Sequence, residues 1–227
     1  MLQLEQIEFL KENLPFYPSL SASQSEYLFT HMWARKAAPG EMVHAGEEEC
    51  LGVVLVQRGR LRAFMNSPEG RELTLYFVGA GSLSMLAASC ILENAALPVY
   101  LSAQEETCLF IIPPGTYNTL RAQCPAVEHY TSEVLGSSFA QTMRAIESTV
   151  FLTVEQRLAL LLLQQAAFEQ STTLHLTQEG MARHLGTARE VITRLLKGFA
   201  EQGLVQVFRG GVTILRKAEL TQLVPDM

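Results

Sequence analysis

The chain has 227 residues, 48% of them hydrophobic, with 17 Lys and Arg against 23 Asp and Glu for a formal net charge of −6. That length suits one large domain or two small ones, each able to bury a core. No stretch reaches the roughly 18 apolar residues that span a bilayer, which excludes a membrane-spanning helix, and an acidic total excludes nucleic acid only if the charge is evenly spread.

The N-terminal stretch MLQLEQIEFLKENL is acidic and amphipathic and lacks the basic start of a secretion signal, so the expected location is the cytoplasm. Residues 38–115 read as short strands punctuated by glycines, as in GVVLVQRGRLRAFM, ELTLYFVGAG and VYLSAQEETCLFIIP. This spacing predicts an antiparallel barrel or roll, with NSPEG (66–70) as a hairpin turn. Residues 126–150 hold neither proline nor alternation and predict a long helix. Its apolar positions Phe139, Met143, Ile146 and Val150 step by four, three and four, the seam of a two-stranded coiled coil. Val127, Tyr130 and Val134 form an earlier run, and Gly136, Ser137 and Ser138 are expected to interrupt the register between the two. A helix this long cannot bury its whole length on a small barrel, so a parallel homodimer is expected.

A second helix opens at FLTVEQRLALLLLQQAAFE with Thr153 as N-cap. After a connector at 171–174 come a helix (178–184), a turn at Gly186, a helix (188–202) and LVQVFRGGVTIL, read as two strands around Gly210 and Gly211. Helix–turn–helix followed by a hairpin is a winged helix. From Met1 to Leu152 the balance is nine cations against sixteen acids, whereas Thr172 to Lys217 carries seven cations against three acids. A basic module on an acidic body is the charge distribution of a DNA-binding regulator.

In LGTAREVITRLLKGF (185–199), at about 100° per residue, Ile192, Leu195, Leu196 and Phe199 share one stripe. Glu190, Arg194 and Lys197 lie opposite, with Arg189 and Thr193 on the flank. One face suits a core and the other something outside it. With Thr187 as N-cap, TARE also reads as a capping box, which would turn Glu190 back onto its own helix.

Over nearly its whole length the chain resembles the CRP/FNR family, the cyclic-AMP receptor protein and fumarate/nitrate regulators. The second-helix motif R-E-x-x-x-R stands here as Arg189, Glu190 and Arg194, and LTQEGMARHLG matches the first helix and its Leu-Gly turn. The resemblance implies an α+β fold: an N-terminal β-roll of cyclic-nucleotide-binding type (1–124), a dimerisation helix (125–152) and a winged helix–turn–helix (153–227). It implies base readout by Arg189, Glu190 and Arg194, since guanine offers acceptors to Arg and cytosine a donor to Glu. The implied target is duplex DNA with inverted GTGA-like half-sites, with RNA polymerase as a further partner. Thr177, Gln178 and Arg209 match backbone-contacting positions less specifically, and Thr193 and Lys197 are further backbone candidates.

The sensor half departs from the family pattern. Nucleotide-binding members carry Gly-Glu-Leu, with the carboxylate on the ribose and an Arg-Ser or Arg-Thr pair for the phosphate. Here Gly81-Ser82-Leu83 lacks the carboxylate, and no Lys or Arg occurs between Arg71 and Arg121. Burying a phosphate without a cation costs on the order of several kcal/mol, so cyclic AMP is not expected. An iron–sulfur cluster is not expected either, because Cys50, Cys90, Cys108 and Cys124 match no cluster spacing. Haem stays open through His31, His44 or His129. Cys90 and Cys124 are the thiols a redox signal would use, Cys124 for its place before a helix N-terminus. Cupin-type metal catalysis is excluded by the isolation of His44 among the strands. The readings left are a regulator sensing a small signal through its roll, a thiol-based regulator, and a constitutive DNA-binding protein with a vestigial roll.

Overall fold

The computed structural model describes residues 3–45, 51–85 and 99–225. Helices α1 (Leu4–Asn13) and α2 (Ala22–His31) lead into strands β1 (Trp33–Ala37), β2 (Met42–Ala45), β3 (Val53–Arg58), β4 (Arg60–Asn66), β5 (Glu72–Gly79), β6 (Leu83–Ser84), β7 (Tyr100–Ala103) and β8 (Thr107–Ile112). Helices α3 (Pro114–Gln123) and α4 (Pro125–Phe151) follow. The strands form two four-stranded sheets, β1-β8-β3-β6 and β2-β7-β4-β5. Pairing is antiparallel at β1–β8, β3–β8, β3–β6, β2–β7 and β4–β7, as the glycine-punctuated sequence implied. The chain divides into two compact units: Met1–Met65 with Leu75–Met143, and Asn66–Thr74 with Arg144–Met227.

In the first unit the core explains why β3 reads as an unbroken apolar run. Val53 and Leu55 join Phe110 and Ile112 in a cluster with Leu10, Leu28 and Tyr117 from the helices. Val54 and Val56, on the opposite face of the strand, are equally inaccessible. Gly59 closes the β3–β4 connection at φ +89°, where any Cβ would lie 2.6 Å from Thr107 Oγ1. The 66–70 turn forms with Gly70 N–H donating to Ser67 O (2.9 Å) and Ser67 N–H to Arg71 O (2.8 Å). Tyr117 is fully buried, its hydroxyl 2.9 Å from Thr131 Oγ1 on α4. Burial pushes its phenol up to about 12 against the opposing effect of that hydrogen bond.

Helix α4 runs unbroken for 27 residues, through Gly136, Ser137 and Ser138, since small residues weaken a helix by no more than about 1 kcal/mol each. The surroundings of its apolar positions change across these residues, where the sequence implied an interrupted register. Val127 is buried, with Tyr130 and Val134 packed beside it, whereas Phe139, Met143, Ile146 and Val150 face solvent at 68, 45, 44 and 65% exposure.

The second unit holds α5 (Val154–Glu169), β9 (Thr173–Leu174), α6 (Gln178–Leu185), α7 (Arg189–Glu201), β10 (Val205–Phe208), β11 (Gly211–Ile214) and α8 (Lys217–Gln222). Thr153 caps α5, accepting from Gln156 N–H while Gln156 Oε1 accepts from Thr153 N–H. Leu158 and Leu162 of α5, Met181 of α6 and Ile192, Leu196 and Phe199 of α7 make one core. Strands β10 and β11 form the wing. The connector at 171–174 ends in β9, which pairs with β11 and makes the sheet three-stranded.

Candidate nucleic-acid interface

Thr177 caps α6 by accepting from Gly180 N–H at 3.0 Å. The helix ends at Gly186, whose φ of +61° is the left-handed conformation that glycine adopts without strain. Arg157 Nη1, on α5, donates to Leu185 O at 3.1 Å, which ties α5 to the end of α6, and burial lowers the Arg157 pKa. Helix α7 then begins with Ala188, not Thr187, as its N-cap, and Ala188 has no side chain to cap with. The TARE capping box does not form: one residue later in register, Glu190 is the second helical residue and lies outside the reciprocal position. Its carboxylate is free for other work in the first turn, where the helix dipole favours it.

The buried stripe of α7 is Ile192, Leu196 and Phe199, with Leu195 half-buried at its margin. Arg189, Glu190, Thr193, Arg194 and Lys197 are all exposed. Thr193 Oγ1 lies 2.7 Å from Gln178 Oε1, joining two of the expected backbone-contacting residues across the turn. Lys197 sits 3.9 Å from Glu201 in an exposed pair one turn on. Arg209 lies at the wing tip, before Gly210 at φ +92°, and is exposed. The wing is steadied by His175 against Phe208, ring centroids 5.8 Å apart and nearly perpendicular. The outer face of α7 thus presents donors and acceptors in alternation, the surface a helix needs to meet base edges in a major groove.

The expected sensor residues are dispersed. His31 is exposed, its Nδ1 2.8 Å from Tyr27 O; His129 is exposed beside Glu133; His44 is buried on β2. Among the described residues no three His, Cys, Asp or Glu side chains gather as metal ligands. Cys124 is 5% exposed, and its thiol donates to Ser19 O at 3.7 Å. Cys90 lies outside the described residues. The sequence reading missed two cations in the roll: Arg60 and Arg62 on β4 are buried, their guanidinium carbons 3.6 Å from the Phe77 ring centroid and 4.4 Å from that of Phe64. The cation-free span from Arg71 to Arg121 is therefore a property of that span and not of the roll. Tyr76 is buried as well; burial raises its phenol pKa, opposed in smaller measure by the Ser138 and Ser84 hydroxyls.

Residues 156–223 match the model of the Crp-like helix-turn-helix domain. A protein assigned to the CRP/FNR family of transcriptional regulators, from Eubacterium rectale, is 34% identical in sequence. The likeness covers 93% of this chain and 98% of that one, with a TM-score of 0.89. The cyclic AMP receptor protein of Thermus thermophilus is 22% identical over 209 residues, 92% of this chain and 96% of the relative. The c-di-GMP-responsive regulator CLP of Xanthomonas campestris shares the fold at 20% identity and a TM-score of 0.73, over 86% of this chain and 99% of that one. With a two-sheet roll, a long helix and a winged helix whose second helix carries an exposed polar face, the chain belongs to the CRP/FNR family of DNA-binding transcription regulators, which are not enzymes.

Proposed function

We propose that the protein works as a parallel homodimer that reads an inverted repeat of GTGA-like half-sites through Arg189, Glu190 and Arg194 of each copy. The observation that carries this is the change along α4, from Val127 buried in its own core to Phe139, Met143, Ile146 and Val150 exposed at coiled-coil spacing. Four large apolar side chains in one row are an unfinished interface, and a second α4 supplies the matching row. A two-fold pair of reading helices calls for a two-fold repeat in the DNA. Thr177, Gln178, Thr193, Lys197 and Arg209 then fix the register through the sugar-phosphate backbone, and RNA polymerase is the partner recruited beside the bound site.

The roll senses a small ligand other than cyclic AMP. What supports this is Ser82 standing where nucleotide-binding members carry a ribose-binding carboxylate. Arg60 and Arg62 place two buried cations in the roll, so the ligand need not be neutral. The burial of Cys124 counts against a thiol signal at that residue. Selection of bound sequences from a random duplex pool tests the proposal: enrichment of an inverted repeat with guanine-containing half-sites is expected, and a single half-site or no consensus would refute it.

A further inference from the structure

Residues Asn66–Thr74, the hairpin between β4 and β5, group with the winged-helix unit. Thr74 Oγ1 lies 2.9 Å from Nδ1 of His184, a largely buried residue near the end of α6. Glu72 O approaches the turn so closely that a Cβ on Gly186 would sit 3.1 Å from it. Between hairpin and turn is a cleft of about 440 Å³, lined on one side by Gly70, Arg71 and Glu72 and on the other by residues that include Arg183, Arg189 and Glu190. Two of the three proposed base-reading residues thus open onto a space walled by the protein's own hairpin.

A duplex presents a major groove about 12 Å wide that must close around the first turns of α7, and the hairpin stands beside those turns. Glu72, Arg183 and Arg189 line the same cleft, so the hairpin brings an acidic residue to the cations that phosphates would otherwise meet. We infer that the 66–74 hairpin is an autoinhibitory brake, latched by Thr74 on His184, which must leave the turn before α7 enters the groove. This rests on the reading of α7 as the DNA-reading helix and adds how that helix is kept from DNA. Binding is then weakened by the fraction of molecules in which the brake is engaged, and a change that loosens the latch tightens binding without touching DNA.

The test compares three full-length proteins without added ligand on a duplex carrying the GTGA-type inverted repeat and on a random duplex. Thr74→Val keeps the branched shape that suits a strand but removes the hydroxyl; Thr74→Ser keeps the hydroxyl. Loss of one hydrogen bond in the latch is expected to tighten Thr74→Val binding to the repeat roughly threefold to tenfold, with Thr74→Ser binding as the wild type does. Thr74→Val within twofold of wild type, or Thr74→Ser matching Thr74→Val, overturns the brake. A wild type and variants that all fail to distinguish the repeat from random duplex overturn the reading of α7 itself, and the brake with it.

Discussion

The Thr193 hydroxyl of α7 lies 2.7 Å from Gln178 Oε1 of α6, and it also lies 3.0 Å from Arg189 O one turn back along its own helix. One proton shared between these acceptors holds the Thr193 and Gln178 side chains in fixed relation. Thr193→Val removes the hydroxyl and should release Gln178. The expected result is about a threefold loss of affinity, equal on cognate and random duplex, because backbone contacts carry no sequence information. Binding titrations on both duplexes check this; a loss confined to the cognate repeat would make Thr193 a base-reading residue.

Ile146→Glu places two like charges face to face in the proposed α4 seam, where an apolar row now faces solvent. Sedimentation should show monomers, and affinity for the repeat should fall at least tenfold, since each half-site is then bound alone. An unchanged dimer would remove this seam from the account.

Tyr117→Phe leaves the partner Thr131 with one hydrogen bond, to Val127 O at 2.6 Å, and should cost about 1 kcal/mol, a fall of about 2–4 °C in Tm. The same variant should alter alkaline stability. The Tyr117 phenol titrates near 12 in the fold against 10 when free, so above pH 10 the unfolded chain releases its proton first. Stability is complete below that pH and falls as pH rises towards 12, by on the order of 2 kcal/mol from this group. Denaturant unfolding at pH 9 and pH 11 should show a shallower fall for Tyr117→Phe than for wild type. Equal falls would contradict the assignment.

Millimolar cyclic AMP should change neither Tm nor affinity for the repeat. A ligand bound only by the folded state stabilises it by about 2.7 kcal/mol at 100 times its Kd, so thermal melting would register binding. A rise in Tm together with tighter DNA binding would show that Ser82 can replace the missing carboxylate.

Helix α7 was legible in the sequence because one of its faces is apolar at helical spacing and the turn before it needs Gly186. The start of that helix was not. Thr187 is the better capping residue by type, yet the chain enters α7 one residue later, at Ala188. Strand β9 and helix α8, two and six residues long, are too short to show a period. The seam on α4 was legible as spacing, while the division between its inward and outward runs depends on where the roll's core ends. Nothing in the sequence marks Arg60 and Arg62 as buried, because cations seldom sit inside, and their packing against aromatic rings appears only in three dimensions. The Thr74–His184 contact joins residues 110 positions apart, and no local pattern marks it.

The central claim is that the exposed face of α7 reads bases. Its most direct test compares wild type with Arg194→Ala on the inverted repeat and on duplexes in which each half-site base pair is changed in turn. If Arg194 reads guanine, the variant should lose about 1–3 kcal/mol of preference at one base pair of each half-site and little elsewhere. Equal weakening on every duplex, random DNA included, would make Arg194 a phosphate contact and contradict the account.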